Sequence, residues 1–540
     1  MAGQIAASAL IAELTDTDGG EIAILDAREQ GVYFDSHLFH ASSVALSNLE
    51  LLLPTLVPRR STRIVWCDDG SSGLAEQAAA RSMAMGWTNV SILTDGTRGW
   101  AEAGGELYSG VNVPSKAFGE FIEHEYGTPR MPPAEVKALI DSDADMVILD
   151  SRPMAEFTNM SIPTGTDCPG AELVYRVKEM VTSPDTLVVV NCAGRTRSII
   201  GCQSLVNAGL ENDVVALENG TMGWMLAGYE VARGNTEHAP DPAPDSQQWS
   251  LSAAKRVGTR FGVRTIGFDE LATWQADAMR TTYLLDVRTP EEFAGGHIPG
   301  SQNAPGGQLV QATDEYVGTQ NARLVLIDDD GVRATMTASW LRQLGWVDAV
   351  VLGEAFDGGR SLITSDAAQP SPMVDVSAVK TISVGALSTR LVDGATDLTV
   401  LDLGTSLKYR KKGHIPGAWW GVRSRLDQAR STIGEASVLV LASSDGLVAT
   451  LAAPEAEQMW PETEVLVLEG GNRAWNHQGL DMEPGFTRPT TDANDVWYKP
   501  YDHDDGVPTE HMQSYLTWEI ALVEQLDRDP TVRFPSFGPS

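Results

Sequence analysis

The residues with the clearest chemistry are Cys192-Ala193-Gly194-Arg195-Thr196-Arg197-Ser198, which follow the apolar run LVVVN and open an apolar stretch of helical spacing. A thiol at a helix N-terminus meets converging backbone N–H groups and the positive end of the helix dipole, and both stabilise a thiolate and lower its pKa. The guanidinium groups of Arg195 and Arg197 strengthen that field, and the same donors would hold an oxyanion beside the sulfur. Two arginines within five residues are poor neighbours for an inert core thiol. Cys192 therefore reads as a nucleophile acting on a small anion.

The other cysteines read differently. Cys202 lies ten residues further on in the apolar helical stretch and is expected in the core. Cys168, in TDCPG, lies in a loop from which it could approach Cys192. Cys67 stands at the equivalent position of an earlier repeat, but Asp68 and Asp69 beside it carry the wrong sign for a thiolate or an anion, so it reads as vestigial. Four cysteines without a CxxC pair cannot build a disulfide scaffold in 540 residues, which points to a reducing, cytoplasmic compartment.

The elements that must position Cys192 recur along the chain. An apolar run ending in Asp appears four times, as AILDAR at Asp26, VILDSR at Asp150, LLDVR at Asp286 and TVLDLG at Asp402. A second apolar run leads 41 or 42 residues later into a polar loop, which starts at Cys67, Cys192, Asp328 or Ser443 and opens into an Ala-rich helical stretch. A third signature closes three units at Trp100, Trp224 and Trp475, while the third unit has LGEAFDGG at 352–359 instead. Strands alternating with helices predict a doubly wound α/β unit with a mainly parallel sheet and helices on both faces. Ligands in such sheets sit beyond the carboxyl ends of the strands, where these loops lie. The punctuation NVPSKAF with RMPPAE, then HAPDPAPDSQ, then SDAAQPSPM divides the chain into units at 6–115, 128–236, 264–366 and 380–487. A C-terminal extension, 488–540, holds a helix starting near Thr509, with Met512, Tyr515, Leu516, Ile520, Val523 and Leu526 on its docking face.

The composition limits the partners. A formal charge of −34 on a chain that is 42% hydrophobic places the acidity on folded material, and it disfavours nucleic acid and anionic membrane surfaces. No window approaches the roughly 20 apolar residues that span a bilayer, and the first residues lack a basic leader. Against this background Arg195 and Arg197 form a local reversal of sign. Asp502, His503, Asp504 and Asp505 are adjacent in the tail, and adjacency on a loop reads as a solvated turn, so no metal is expected.

With these motifs the chain resembles the rhodanese family, over about residues 6–487, as four tandem rhodanese-like domains. LLDVRTPEEFAGGHIPGSQNAP at 284–305 and YRKKGHIPGAWW in the fourth unit carry the resemblance most plainly. Unit two keeps Asp150, Arg152 and Glu156 and departs at SIPTG, where Ser161 replaces the usual His; unit one keeps Asp26 and Arg28, with His37 standing in. The resemblance implies a six-residue loop, 192–197, that binds a sulfur donor. The related phosphatases of this fold use C-x5-R, whereas four residues separate Cys192 from Arg197, which favours sulfur transfer over phosphoryl transfer. The implied chemistry is ping-pong, without a cofactor. Cys192 takes the outer sulfur of thiosulfate as a persulfide, sulfite departs, and cyanide or a thiol accepts the sulfur. Arg195 and Arg197 would neutralise the dianion, N–H groups from Ala193 to Ser198 would hold the persulfide, and the hydroxyls of Thr196 and Ser198 would assist. The basic loop favours thiosulfate over mercaptopyruvate. Asp150, Arg152 and Glu156 would be a structural ion-pair set. Unit one would be the inactive partner of unit two, and units three and four lack the nucleophile, with Arg333 retained at the sixth position of the third loop. The alternatives are a persulfide carrier or sensor serving a protein partner and, more remotely, a Cys-dependent phosphatase or arsenate reductase.

Overall fold

Each apolar run becomes a strand buried on both faces, the pattern of a parallel sheet covered by helices. The computed structural model describes residues 2–16, 19–356, 362–364, 374–394, 397–503 and 506–538. The punctuation at 365–373, the end of the third unit at 366, residues 357–359 of its closing signature, Asp504 and Asp505 lie outside them. Four five-stranded sheets follow one another, all with the same strand order and every pair parallel. In the second, the order is Arg130–Met131, Val214–Leu217, Leu187–Asn191, Met146–Asp150, Thr166–Asp167.

The recurrent Asp closes a central strand, in register with the last residue of the strand that feeds the loop; in unit one that residue is Cys67 itself, so Asp68, and not Cys67 as expected, stands where Cys192 does. Asp150 pairs with Asn191, Asp286 with Ile327, Asp402 with Ala442 and Asp26 with Cys67. This register is the physical reason for the constant spacing. Alternate residues serve opposite cores. Val188 and Val190 face one side of the second sheet and Val189 the other; Leu324 and Leu326 oppose Val325 and Ile327 in the third.

Two of the punctuated segments are helices. Val113–Tyr126 has Pro114 in its first turn and ends at Gly127 in the left-handed conformation. It runs across the end expected for unit one at 115, and the edge strand Gly3–Ile5 lies before its expected start at 6. Pro244–Arg260 is the second such helix. Phe118 and Ile122 of the first share a core with Ile199 and Ile200 of unit two and with Leu324, Leu326 and Trp340 of unit three. Ala253, Ala254 and Val257 of the second join Leu205 to Val332 and Met336. Buried ion pairs link the units as well, Arg333 with Glu172 and Arg423 with Glu50.

The tail helix is Pro508–Arg528. Met512, Leu516 and Leu522 are buried, but Ile520 is 51% exposed, and Glu519 occupies the buried face in its place. No helix among the described residues is long and apolar enough to cross a membrane.

Candidate active site

Cys192 follows the strand Leu187–Asn191, and the helix Thr196–Ala208 begins four residues later. The closing signature holds this loop from below. The Thr221 and Met222 N–H groups donate to the carbonyls of Cys192 and Ala193, at 2.8 and 2.9 Å, and the Thr221 hydroxyl also donates to Cys192. Gly220, at φ +55°, lies so close that a Cβ would sit 2.5 Å from the Cys192 carbonyl oxygen. That contact explains the glycine of the third signature. Its tryptophan is structural: Trp224 Nε1 donates to the Glu230 carbonyl at 2.8 Å, as Trp100 does to Glu106 and Trp475 to Asp481.

The four loops differ in what fills them. In unit one, Asp68 accepts from the N–H groups of Gly70, Leu74 and Ala75. In unit three, Asp328 accepts from Gly331 and Ala334, and in unit four the Ser443 hydroxyl oxygen accepts from Gly446 and Ala449. Each of these loops turns a side chain of its own onto at least two of its N–H donors. In unit two, no described group accepts from the N–H groups of Ala193 to Ser198, and the thiol of Cys192 lies 3.5 Å from the Ser198 hydroxyl.

Cys192 lines a cavity of about 300 Å³ together with Ala193, Gly194, Arg195, Thr196 and Arg197. Among the residues that complete it are Lys116 on the helix after unit one, Gln308 and Glu315 of unit three, Lys499 of the tail, and Tyr515 and Glu519 of its helix. None of these residues lies in a repeat motif. The apolar phase of the tail helix did carry a trace of one of them, since Glu519 interrupts the buried face formed by Met512, Leu516 and Leu522.

The local reversal of sign expected from the two arginines is offset by carboxylates. Arg195 donates to both oxygens of Glu120, at 2.6 and 2.8 Å, and to Glu123 and Asn219. Arg197 donates to Glu156 at 2.9 Å and to Gln308 at 3.0 Å. Burial opposes ionisation of Glu156, but the Arg197 guanidinium outweighs it and holds the carboxyl at about 2. Glu156 lines the cavity and bridges to Arg197, with Arg152 adding to the stabilisation of its carboxylate from further away. Asp150 and Arg152 pair, at 2.7 Å, and Asn191 donates to Asp150 as well. Among the described residues, Lys116 forms no ion pair; its nearest aromatic partner is Tyr515, 5.8 Å from the ring centre, and burial pushes its pKa down.

Cys168 is buried with Leu149, Leu173 and Val190 and does not line the cavity. Burial pushes the thiols of Cys168, Cys67 and Cys202 up, the last to about 12, and Asp26 adds to the effect at Cys67. Asp328, Asp329 and Asp330 lie close enough together to share a cation. Their oxygens are engaged, however: Asp328 caps its loop, Asp329 pairs with Arg333, and Asp330 accepts from Val332 and Gln247. Arg333 is fully buried between Glu172, Glu292 and Asp329, so the third loop offers no free cation.

The rhodanese-like domain description matches residues 10–103, 132–227 and 268–360, just over half of the chain. A crystal structure of thiosulfate sulfurtransferase from Pseudomonas aeruginosa is similar over 98% of both chains, with 45% identity and a TM-score of 0.89. The uncharacterised protein YqhL of Bacillus subtilis is 36% identical over 77 residues, 14% of this chain, and the match spans 60% of that relative. On this evidence the chain belongs to the rhodanese family and carries tandem rhodanese-like domains.

Proposed function

We propose that the protein is a sulfurtransferase that moves sulfane sulfur from thiosulfate to cyanide or a thiol through a persulfide on Cys192. The observation that carries this reading is the loop of unit two, which alone among the four leaves its N–H donors open around a thiol. Preorganised donors of this kind stabilise charge where it develops, without reorganisation during the reaction. Similarity along nearly the full length to a thiosulfate sulfurtransferase supports the same chemistry.

The Cys192 thiolate attacks the outer sulfur of thiosulfate, the sulfur–sulfur bond of the donor breaks, and sulfite leaves with the electron pair. Cys192 then carries the transferred sulfur as a persulfide, held by the N–H groups of residues 193–198. Attack of cyanide or a thiolate on the outer sulfur breaks the Sγ–S bond and restores the Cys192 thiolate. Arg197, placed over the loop by Glu156 and Gln308, faces the donor, while Arg195 positions the loop through Glu120. Intact mass spectrometry tests the reading. Thiosulfate should add one sulfur atom, cyanide should remove it, and Cys192→Ser should never acquire it. A wild-type protein that gains no mass would refute sulfur transfer.

A further inference from the structure

The tail helix inverts the usual pattern at one step, with Glu519 2% exposed and its neighbour Ile520 51% exposed. Burying a carboxyl and exposing an isoleucine are both unfavourable, so the arrangement calls for an explanation beyond packing. Glu519 lies against the Cys192 loop. Its Oε1 accepts from the Tyr515 hydroxyl at 3.1 Å and from the Thr196 hydroxyl at 3.4 Å. Its Oε2 is buried without a partner. A Cβ on Gly194 would sit 3.0 Å from Oε2, so this oxygen points at the loop between the nucleophile and Arg195. Glu519, Gly194 and Cys192 line the same cavity.

The groups facing Glu519 are Lys116 and Glu120 from the helix Val113–Tyr126, Arg195 and Thr196 from the loop, and Tyr515 from its own helix. Arg195 is already held by Glu120 and Glu123. Lys116 draws the Glu519 carboxyl down, but burial outweighs it and pushes the carboxyl up. A carboxylate here would repel a dianion from the open N–H donors. A carboxylic acid would offer it one more donor.

Building on the sulfurtransferase reading, we propose that Glu519 enters the cavity as a carboxylic acid and donates its O–H to the sulfonyl end of the sulfur donor. The tail helix is then part of the binding site. No bond to Glu519 forms or breaks, and its proton stays on the carboxyl group throughout.

The test is the rate at which full-length protein gains one sulfur from thiosulfate, followed by rapid quench and intact mass across pH. Wild type and Glu519→Gln should share the rise at acid pH. As pH rises through the ionisation of Glu519 the wild-type rate should fall, by up to about tenfold per pH unit, the slope of one ionisation, and Glu519→Gln should lack that fall. Gln keeps the shape and an N–H donor but cannot ionise. Superimposable profiles for a persulfide-forming wild type and Glu519→Gln would overturn the role of Glu519 and leave sulfur transfer standing. A wild type that forms no persulfide at any pH would overturn both. Glu519→Leu should raise the thiosulfate concentration giving half-maximal rate; if this variant fails to fold, the Gln comparison decides alone.

Discussion

Asp167, at the end of the edge strand of unit two, is buried beside Asp150, with one carboxyl oxygen unpartnered. Burial, reinforced by Asp150, raises its pKa to about 8. The folded protein therefore holds a proton that the unfolded chain releases near the ordinary carboxyl value of 3.8. Stability from this site falls as pH rises from about 4 to about 8 and is level above that. Asp167→Asn should raise stability at pH 8 by about 1–3 kcal/mol and flatten that slope, as read from urea unfolding at several pH values. An unchanged slope would show that Asp167 is ionised in the folded state. The same electrostatic logic separates the cysteines. The Asp68 and Asp69 neighbours of Cys67 were visible in the sequence, whereas the pairing of Arg195 with Glu120 was not, because the partners are 75 residues apart.

At the scale of elements, the helix Val113–Tyr126 is what fixes the Cys192 loop. Its Glu120 side chain is 1% exposed and meets Arg195, itself 4% exposed. Removing one partner of such a pair leaves a buried charge unmatched, which costs about 3–5 kcal/mol. Arg195→Met should lower the first urea transition by that amount, and adding Glu120→Gln should recover more than half of it. A double variant no more stable than Arg195→Met would mean that the charge pair is not the origin of the loss. The strands and the loop-bearing helices were legible because their apolar periodicity is local. The helices at 113–126 and 244–260 were not, since prolines that start a helix and prolines that end a unit look alike without the fold.

At the scale of the molecule, the units are joined by shared cores. Trp340 of unit three donates to Ser204 of unit two at 2.8 Å, and Arg423 of unit four meets Glu50 of unit one at 2.8 Å. Thiosulfate, the donor proposed above, would approach this assembly against a formal charge of −34. Raising ionic strength from about 0.01 M to about 0.15 M shortens the Debye length from about 30 Å to about 8 Å. Persulfide formation at limiting thiosulfate should therefore speed up over that range, measured with stopped-flow mixing and intact mass. Slower reaction with added salt would mean that Lys116, Lys499 and Arg197 dominate the approach as well as the binding.

The sequence alone determined the repeat and the strand-loop-helix unit, and it singled out Cys192 as the cysteine beside two arginines, because these depend on apolar period, spacing and the charge of adjacent residues. Tertiary structure decided the rest. It supplied the cavity wall from unit three and the tail, matched both loop arginines with carboxylates, and aimed the unpartnered oxygen of Glu519 at Gly194. The reason is distance along the chain: Thr196 and Glu519 are 323 residues apart, and no local pattern records such a contact.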